Sequence, residues 1–170
     1  MIVYDNRFNT NEWFIIGGLC VGMALVIFLP KRFPTKNTIV YFMCGVYSGF
    51  FFDHSLSVEP VSYYDVNDKS AFQFMDFLSY LSYGPMSYLF FYIYDRIRPK
   101  PSHIPLYILI WSLTAVGLEW LAVRTGVFHY LHGYKLAYSF PIYLIVQSCW
   151  IAFFHRYHNV RSNERDEAAR

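Results

Sequence analysis

The stretch WFIIGGLCVGMALVIFLP, residues 13–30, carries no charged side chain and approaches the length of about 20 residues that one helix needs to cross a bilayer. Four further apolar stretches follow it, at residues 38–54, 71–94, 104–123 and 136–155. Hydrophobic residues make up 55% of the chain and charged residues only 15%, a more apolar balance than that of soluble domains. The pattern predicts the all-α class, with a single domain over residues 1–160 built as a polytopic bundle of five transmembrane helices.

The basic residues are distributed unevenly between the two ends of the predicted helices. Of the 14 Lys and Arg residues, ten lie in the loops at residues 31–37 and 95–103 and in the C-terminal region. Because cytoplasmic loops of membrane proteins carry an excess of Lys and Arg, this distribution predicts that the N-terminus is outside and the C-terminus inside. Residues 161–170 are then expected to form a polar cytoplasmic tail.

The composition argues against several classes of protein. The net charge is only +2 and no basic patch is interleaved with aromatic residues, so we expect no nucleic-acid partner. Cys20, Cys44 and Cys149 lie inside apolar stretches, and their odd number and spacing match neither a disulfide framework nor a zinc motif. The chain also lacks a nucleophile elbow, an HExxH motif and a P-loop.

Polar residues inside or beside the apolar stretches are predicted to lie near the outer face, where they form a candidate polar site. They are Asp53, His54, Asp76, Tyr80, Tyr83, Glu119, His129 and His132. An acid inside a membrane span costs about 2.5–3.5 kcal/mol at the bilayer centre and less toward the interface, so acids at one depth indicate a functional site. The alternative is a polar seam between packed helices, with the shallow acids reaching water.

His129 and His132 form an HxxH pair, which would align both rings on one face of a helix. Together with Glu119 they are candidate ligands of a divalent metal ion such as zinc or iron. The alternative is an interfacial loop in which the His and Tyr rings lie at the lipid headgroups.

Two GxxxG pairs, Gly18 with Gly22 and Gly45 with Gly49, predict close helix packing. Small residues at this spacing let a second helix approach the backbone. Packing beside Gly49 would hold Asp53 near a neighbouring helix.

The last third of the chain contains an acid followed by a glycine and aromatic loop and then a proline-containing apolar segment. The residues concerned are Glu119, Thr125, Gly126, Tyr130, Tyr134, Tyr138, Ser139, Pro141, Ile142 and Tyr143. This segment resembles a group of uncharacterised small multi-pass membrane proteins from Bacillus-type Gram-positive bacteria. The resemblance implies a polytopic helical protein of the bacterial plasma membrane, and it implies no activity.

Three functions remain open on the sequence. The first is a ligand-binding or accessory protein with an outward-facing pocket for a lipid, a small molecule or a membrane partner, including a second copy of the chain. The second is an intramembrane enzyme acting on a lipid or isoprenoid, with Asp53, Asp76 and Glu119 as acid–base groups. The third is a purely structural subunit of a membrane complex. We expect the first, because the chain has no soluble domain and its glycine pairs favour packed helices.

Overall fold

The computed structural model describes the backbone of residues 2–69 and 71–168, and the side chains as far as residue 157. Within that part, the chain forms five α-helices and two short strands. They are α1 Thr10–Phe28, α2 Thr35–Leu56, β1 Tyr64–Val66, α3 Phe74–Ile97, α4 Ile104–Arg124, β2 Phe128–Tyr130 and α5 Leu136–Ala168. The predominantly helical architecture confirms the all-α class that the apolar stretches predict.

Three helical segments in the described part are long and apolar enough to cross a membrane: Thr10–Phe28, Pro101–Arg124 and Leu136–Tyr157. Helices α2 and α3 coincide with the other two predicted stretches but carry more polar side chains. The helix α5 continues beyond the predicted span to Ala168, so its backbone includes most of the predicted tail. Residues 169 and 170 of that tail lie outside the described residues.

Two helices begin with reciprocal hydrogen bonds between side chain and backbone. At the start of α1, the Asn9 side chain accepts from the Asn11 backbone N–H at 3.1 Å, and Glu12 accepts from the Asn9 N–H at 2.7 Å. At the start of α3, Asp76 accepts from the Gln73 N–H at 2.6 Å. These bonds satisfy N–H groups that have no partner within the first turn of a helix, and so fix where α1 and α3 begin.

Helix α3 packs against both α1 and α2, forming a first helix group. A Cβ atom on Gly45 would lie 2.5 Å from the Ser87 Oγ and 2.7 Å from the Tyr83 carbonyl carbon, so only glycine fits where α2 meets α3. The buried Ser87 hydroxyl donates to the Tyr41 carbonyl oxygen of α2 at 2.7 Å. Close backbone approach therefore lets one hydroxyl join two helices.

Helices α4 and α5 pack against each other as a second helix group. An aromatic cluster joins this group to α2 and α3, and its buried members are Tyr41, Phe90, Phe91, Tyr94, Tyr107, Ile108, Ile151 and Phe154. The Tyr107 hydroxyl donates to the Phe90 carbonyl oxygen at 2.6 Å, and the Trp150 indole donates to the Ser48 hydroxyl at 3.2 Å. The two groups are thus held together at the end where α3 finishes and α4 begins.

At the other end, three segments meet to form a structure that we call the cap: residues 2–9, 57–69 and 125–135. Strands β1 and β2 pair antiparallel there, with Tyr64 opposite Tyr130. Val3 forms an isolated bridge with Lys69, and the Asn11 side chain donates to Asp68 at 2.6 Å. The cap covers the ends of the helices that carry Asp53 and Glu119.

Candidate functional site

A cavity of about 290 Å³ lies below the cap, among side chains from all five helices and from the cap itself. Most of its lining is apolar or aromatic, including Phe14, Ile15, Phe52, Leu56, Pro85, Met86, Trp111, Leu118, Ile142, Val146 and Trp150. Among the described residues, two acids line the cavity, Asp53 and Glu119. The volume is close to the lower end of ordinary small-molecule sites, which are concave and mostly apolar with a few polar groups.

Glu119, on α4, is the centre of a hydrogen-bond network at the cap end of the cavity. Its Oε1 accepts from the hydroxyls of Tyr130 and Ser139, both at 2.6 Å. Its Oε2 accepts from the Tyr143 hydroxyl at 2.6 Å. Short bonds to a carboxylate are stronger than bonds between neutral groups, so three hydroxyls from β2 and α5 hold this side chain in place.

Asp53, in the last turn of α2, is buried, and only one of its two carboxylate oxygens accepts a hydrogen bond from a described residue. Its Oδ1 accepts from the Tyr64 hydroxyl of β1 at 2.7 Å. Its Oδ2 is buried and receives no hydrogen bond from any residue that the structure describes. A buried acceptor without a partner costs about 1–3 kcal/mol. Of the two acids in the cavity lining, Asp53 therefore has more to gain from a hydrogen bond donated by a ligand.

The two strands of the cap place one phenol over each carboxylate. Tyr64 and Tyr130 are opposite each other in the antiparallel pair of β1 and β2. Tyr64 donates to Asp53 of the first helix group, and Tyr130 donates to Glu119 of the second. Burial, followed by the charge of Asp53, raises the pKa of Tyr64 well above its ordinary value. Burial and the hydrogen bond to Glu119 raise the pKa of Tyr130 in the same direction. Both phenols therefore stay protonated and remain donors at neutral pH.

A second polar contact lies farther from the cap, where the Ser112 hydroxyl donates to the Gln147 side-chain oxygen at 2.8 Å. Ser139, Tyr143 and Gln147 are spaced four residues apart on α5 and line the cavity together. Trp111 precedes Glu119 by two turns of α4, so the aromatic end and the acidic end are separated by about 12 Å along the helix axis. The two acids of the cavity thus lie near the cap, whereas the Gln147 amide lies farther along the same lining.

Asp76 and Tyr80 lie outside this cavity, in a smaller crevice of about 80 Å³ that Asp53 also borders. Both carboxylate oxygens of Asp76 have partners, namely the Gln73 N–H and the Asn67 side-chain amide, each at 2.6 Å. His54 is exposed beside this crevice, with its ring stacked on Phe50 at 3.9 Å. Asp76 thus caps a helix and holds the cap loop, and Asp53 connects the crevice with the cavity.

The two histidines of the HxxH pair lie on a strand and a turn rather than on a helix. His129 is in β2, where its ring stacks on Tyr4 at 3.7 Å. His132 has a positive φ of 49°, and its Nδ1 lies 2.8 Å from the Ser62 carbonyl oxygen. Among the described residues, no group of three His, Cys, Asp or Glu side chains is placed to hold a metal ion. The structure therefore does not gather His129, His132 and Glu119 as a ligand set.

The glycine pairs differ in what they face. Gly45 and Gly49 lie against α3, with the Tyr83 ring over Gly49, and Gly22 lies against Pro85. Gly18 lines the cavity, and a Cβ atom there would meet no other atom within 4 Å. Tyr83 also lines the cavity, so one tyrosine contributes both to helix packing and to the site.

No protein-family model matches the chain, and no curated protein or solved structure shows significant similarity to it.

Sequence reasoning missed four residues that complete the site: Tyr64, Tyr130, Ser139 and Tyr143. The four-residue spacing of Ser139, Tyr143 and Gln147 within an apolar helix is a signal that could have identified the α5 contribution. The two cap tyrosines lie on strands of three residues each, which are too short to give a reliable alternating pattern.

Proposed function

We propose that the protein is a multi-pass membrane protein that binds an amphiphilic small molecule or lipid in the cavity between its two helix groups. The observation that carries the proposal is a buried acid, Asp53, that lines a mostly apolar cavity and has one carboxylate oxygen without a donor among the described residues. An unpaired carboxylate oxygen in such surroundings is costly, and a hydrogen-bond donor on a ligand would relieve that cost.

All five helices are proposed to span the bilayer. The two more polar ones, α2 and α3, have 22 and 24 residues, which at the rise of an α-helix exceed the roughly 30 Å of a hydrocarbon core. Polar side chains of these helices, such as Ser87 and Asp53, face other parts of the protein. A polar residue that is covered in this way does not prevent a helix from crossing a membrane.

The cap is proposed to lie outside the cell. The N-terminal segment and the loops that contain β1 and β2 meet at the cap, as the alternating direction of five spans requires. The end opposite the cap carries the more basic loops, including Arg32, which pairs with Asp95. The excess of basic residues at that end supports a cytoplasmic location. The resemblance of the last third points to a bacterial plasma membrane.

The hydrogen bonding of Glu119 favours a binding function over an enzymatic one. Three hydroxyls hold its two oxygens, so this carboxylate organises the cavity wall rather than standing free to transfer protons. A single available carboxylate at Asp53 suits recognition of a donor group.

Cysteine labelling tests the membrane topology. In a chain with Cys20, Cys44 and Cys149 replaced by Ala, we would introduce Val58→Cys in the cap or Ser102→Cys before α4, both at exposed positions. A membrane-impermeant maleimide should label Val58→Cys in intact cells and Ser102→Cys only after permeabilisation. The reverse pattern, or labelling of both in intact cells, contradicts the proposed topology.

Filling the cavity tests the binding function. Gly17 and Gly18 are adjacent and exposed, and neither has an atom within 4 Å of the Cβ position, but only Gly18 lines the cavity. Native mass spectrometry of gently extracted protein should detect a co-purified molecule that Gly18→Phe loses and Gly17→Phe retains. Equal retention by both variants, or no bound molecule in the unmodified protein, contradicts ligand binding in this cavity.

A further inference from the structure

One acid in the cavity lining has a carboxylate oxygen to which no described residue donates a hydrogen bond. Asp53 is 4% exposed, and its Oδ2 has no hydrogen-bond donor among the described residues. Glu119, at the same end, has both oxygens engaged by hydroxyl donors. A polar ligand group that reaches this end therefore meets an acceptor at Asp53 and needs a hydrogen to donate.

The charge of the lining narrows the class of that group. The lining contains two acids, Asp53 and Glu119, and no Lys, Arg or His among the residues that the structure describes. Carboxylate and phosphate headgroups would add negative charge beside two acids without a compensating cation, which disfavours them. A protonated amine would instead form a charge-assisted hydrogen bond with Asp53.

The far end of the cavity is mostly apolar, with the Gln147 side chain as a polar group in its lining. Trp111 and Trp150 line it, backed by the aromatic cluster, and Gly18 leaves open space along α1. A chain lying along the cavity could therefore place its apolar part against the tryptophans while its head reaches Asp53. Burial of each methylene group contributes about 0.8 kcal/mol.

From this arrangement we infer that the ligand is a cationic amphiphile, in which a primary amine binds the Asp53 carboxylate and a hydrocarbon body occupies the cavity as far as Trp111 and Trp150. The inference rests on the proposed function, because it names the chemical class that the same cavity accepts.

A series of ligands with one chain and three heads tests it. Decylamine, decanol and decanoate would be added at equal mole fraction to the full-length protein in nanodiscs, with native mass spectrometry counting bound molecules and thermal unfolding reporting stabilisation. We expect decylamine to bind about tenfold more tightly than decanol, because its bond to Asp53 is charge-assisted, and decanoate to bind least. Equal binding of the amine and the alcohol, or tighter binding of decanoate, overturns the inference.

Asp53→Asn adds a second measurement, since the amide keeps an acceptor for Tyr64 and presents an N–H group in place of Oδ2. The variant should lose the preference for decylamine and favour decanol, whereas Asp65→Asn should retain the wild-type order. Asp65 is a matched control because it is an equally buried acid outside the cavity lining. An unchanged preference in Asp53→Asn contradicts the assignment.

Gly18→Phe separates the two proposals. If Gly18→Phe loses binding of both decylamine and decanol, while the unmodified protein shows no preference between them, the ligand-binding function is supported. The assignment of the ligand as an amine is then wrong. Undiminished binding of both in Gly18→Phe removes the proposed function as well.

Discussion

Gly45 offers the most direct test of how the first helix group is assembled. We predict that Gly45→Ala destabilises the protein, because the new Cβ atom would lie 2.7 Å from the Tyr83 carbonyl carbon and 2.5 Å from the Ser87 Oγ. Real Cβ atoms essentially never approach other atoms so closely, and one of these atoms belongs to the backbone. Helices α2 and α3 must therefore move apart.

The size of the effect follows from three contributions. Overpacking of a well-packed contact costs about 1–3 kcal/mol. Displacement of Ser87 weakens its hydrogen bond to the Tyr41 carbonyl oxygen, which contributes about 1 kcal/mol. Replacing glycine by alanine inside a helix returns up to about 1 kcal/mol. The net loss in the free energy of unfolding is then about 1–3 kcal/mol.

Gly18→Ala is the matched control, since it makes the same chemical change in a helix where no atom lies within 4 Å of the new Cβ. Its expected effect is between zero and about 1 kcal/mol of stabilisation, from helix propensity alone. Thermal unfolding of both variants in detergent should show a lowered midpoint for Gly45→Ala and an unchanged or raised midpoint for Gly18→Ala. If Gly45→Ala is as stable as the wild type, or if both variants lose equally, the assigned close contact between α2 and α3 is wrong.

Three further changes probe the cap and the acids beneath it. Glu119→Ala removes the acceptor of three hydroxyl hydrogen bonds and should lower the free energy of unfolding by about 2–4 kcal/mol. Glu119→Gln should lower it by less than half of that, because the amide keeps an acceptor oxygen. Equal losses for the two variants, measured by unfolding in detergent, would contradict the role of the carboxylate. Tyr64→Phe leaves both oxygens of Asp53 without a donor among the described residues and should lower the free energy of unfolding by about 1–3 kcal/mol. Amide hydrogen exchange in the cap should be faster in this variant, and an unchanged exchange rate would refute the prediction. Burial and the neighbouring Asp65 raise the pKa of Tyr4 from 10.0 to about 12. The contribution of Tyr4 to the stability of the cap is therefore complete below pH 10.0 and is lost as the pH rises through about 12. The difference in tyrosinate absorbance between the wild type and Tyr4→Phe should titrate with a midpoint near pH 12, and a midpoint near pH 10.0 would contradict the hydrogen bond to Asp65.

The positions of the helices could be predicted from the sequence because each one coincides with a long apolar stretch. The starts of α1, α2 and α3 each differ by three residues from the predicted stretches, which begin at residues 13, 38 and 71. In α3 the helix begins late, at Phe74 rather than at residue 71. Asp76 explains the difference, since its side chain accepts the backbone N–H of Gln73 and ends the preceding loop there. An acid that the sequence pattern places inside a membrane span, where it would be energetically unfavourable, can thus be the capping residue at the start of the helix.

The candidate site was predictable only in part. The positions of Asp53 and Glu119 near the ends of apolar stretches predict that the two acids lie at one depth. In the structure both side chains line one cavity. Their partners depend on the pairing of two strands that are far apart in the sequence, which local patterns do not reveal. The same pairing makes the segment containing His129 extended, so that the three-residue spacing no longer aligns it with His132.

The pairing of β1 with β2 constrains when the cap can form during synthesis of the chain. Tyr64 and its acceptor Asp53 belong to the first half of the chain, whereas Tyr130 and Glu119 belong to the second. During synthesis, β1 emerges well before β2 exists, and its edge can be paired only after α4 has been made. Each half of the chain therefore contains one acid and the tyrosine that donates to it, and the β1–β2 pairing that brings the two halves together at the cap cannot form before β2 has been synthesised.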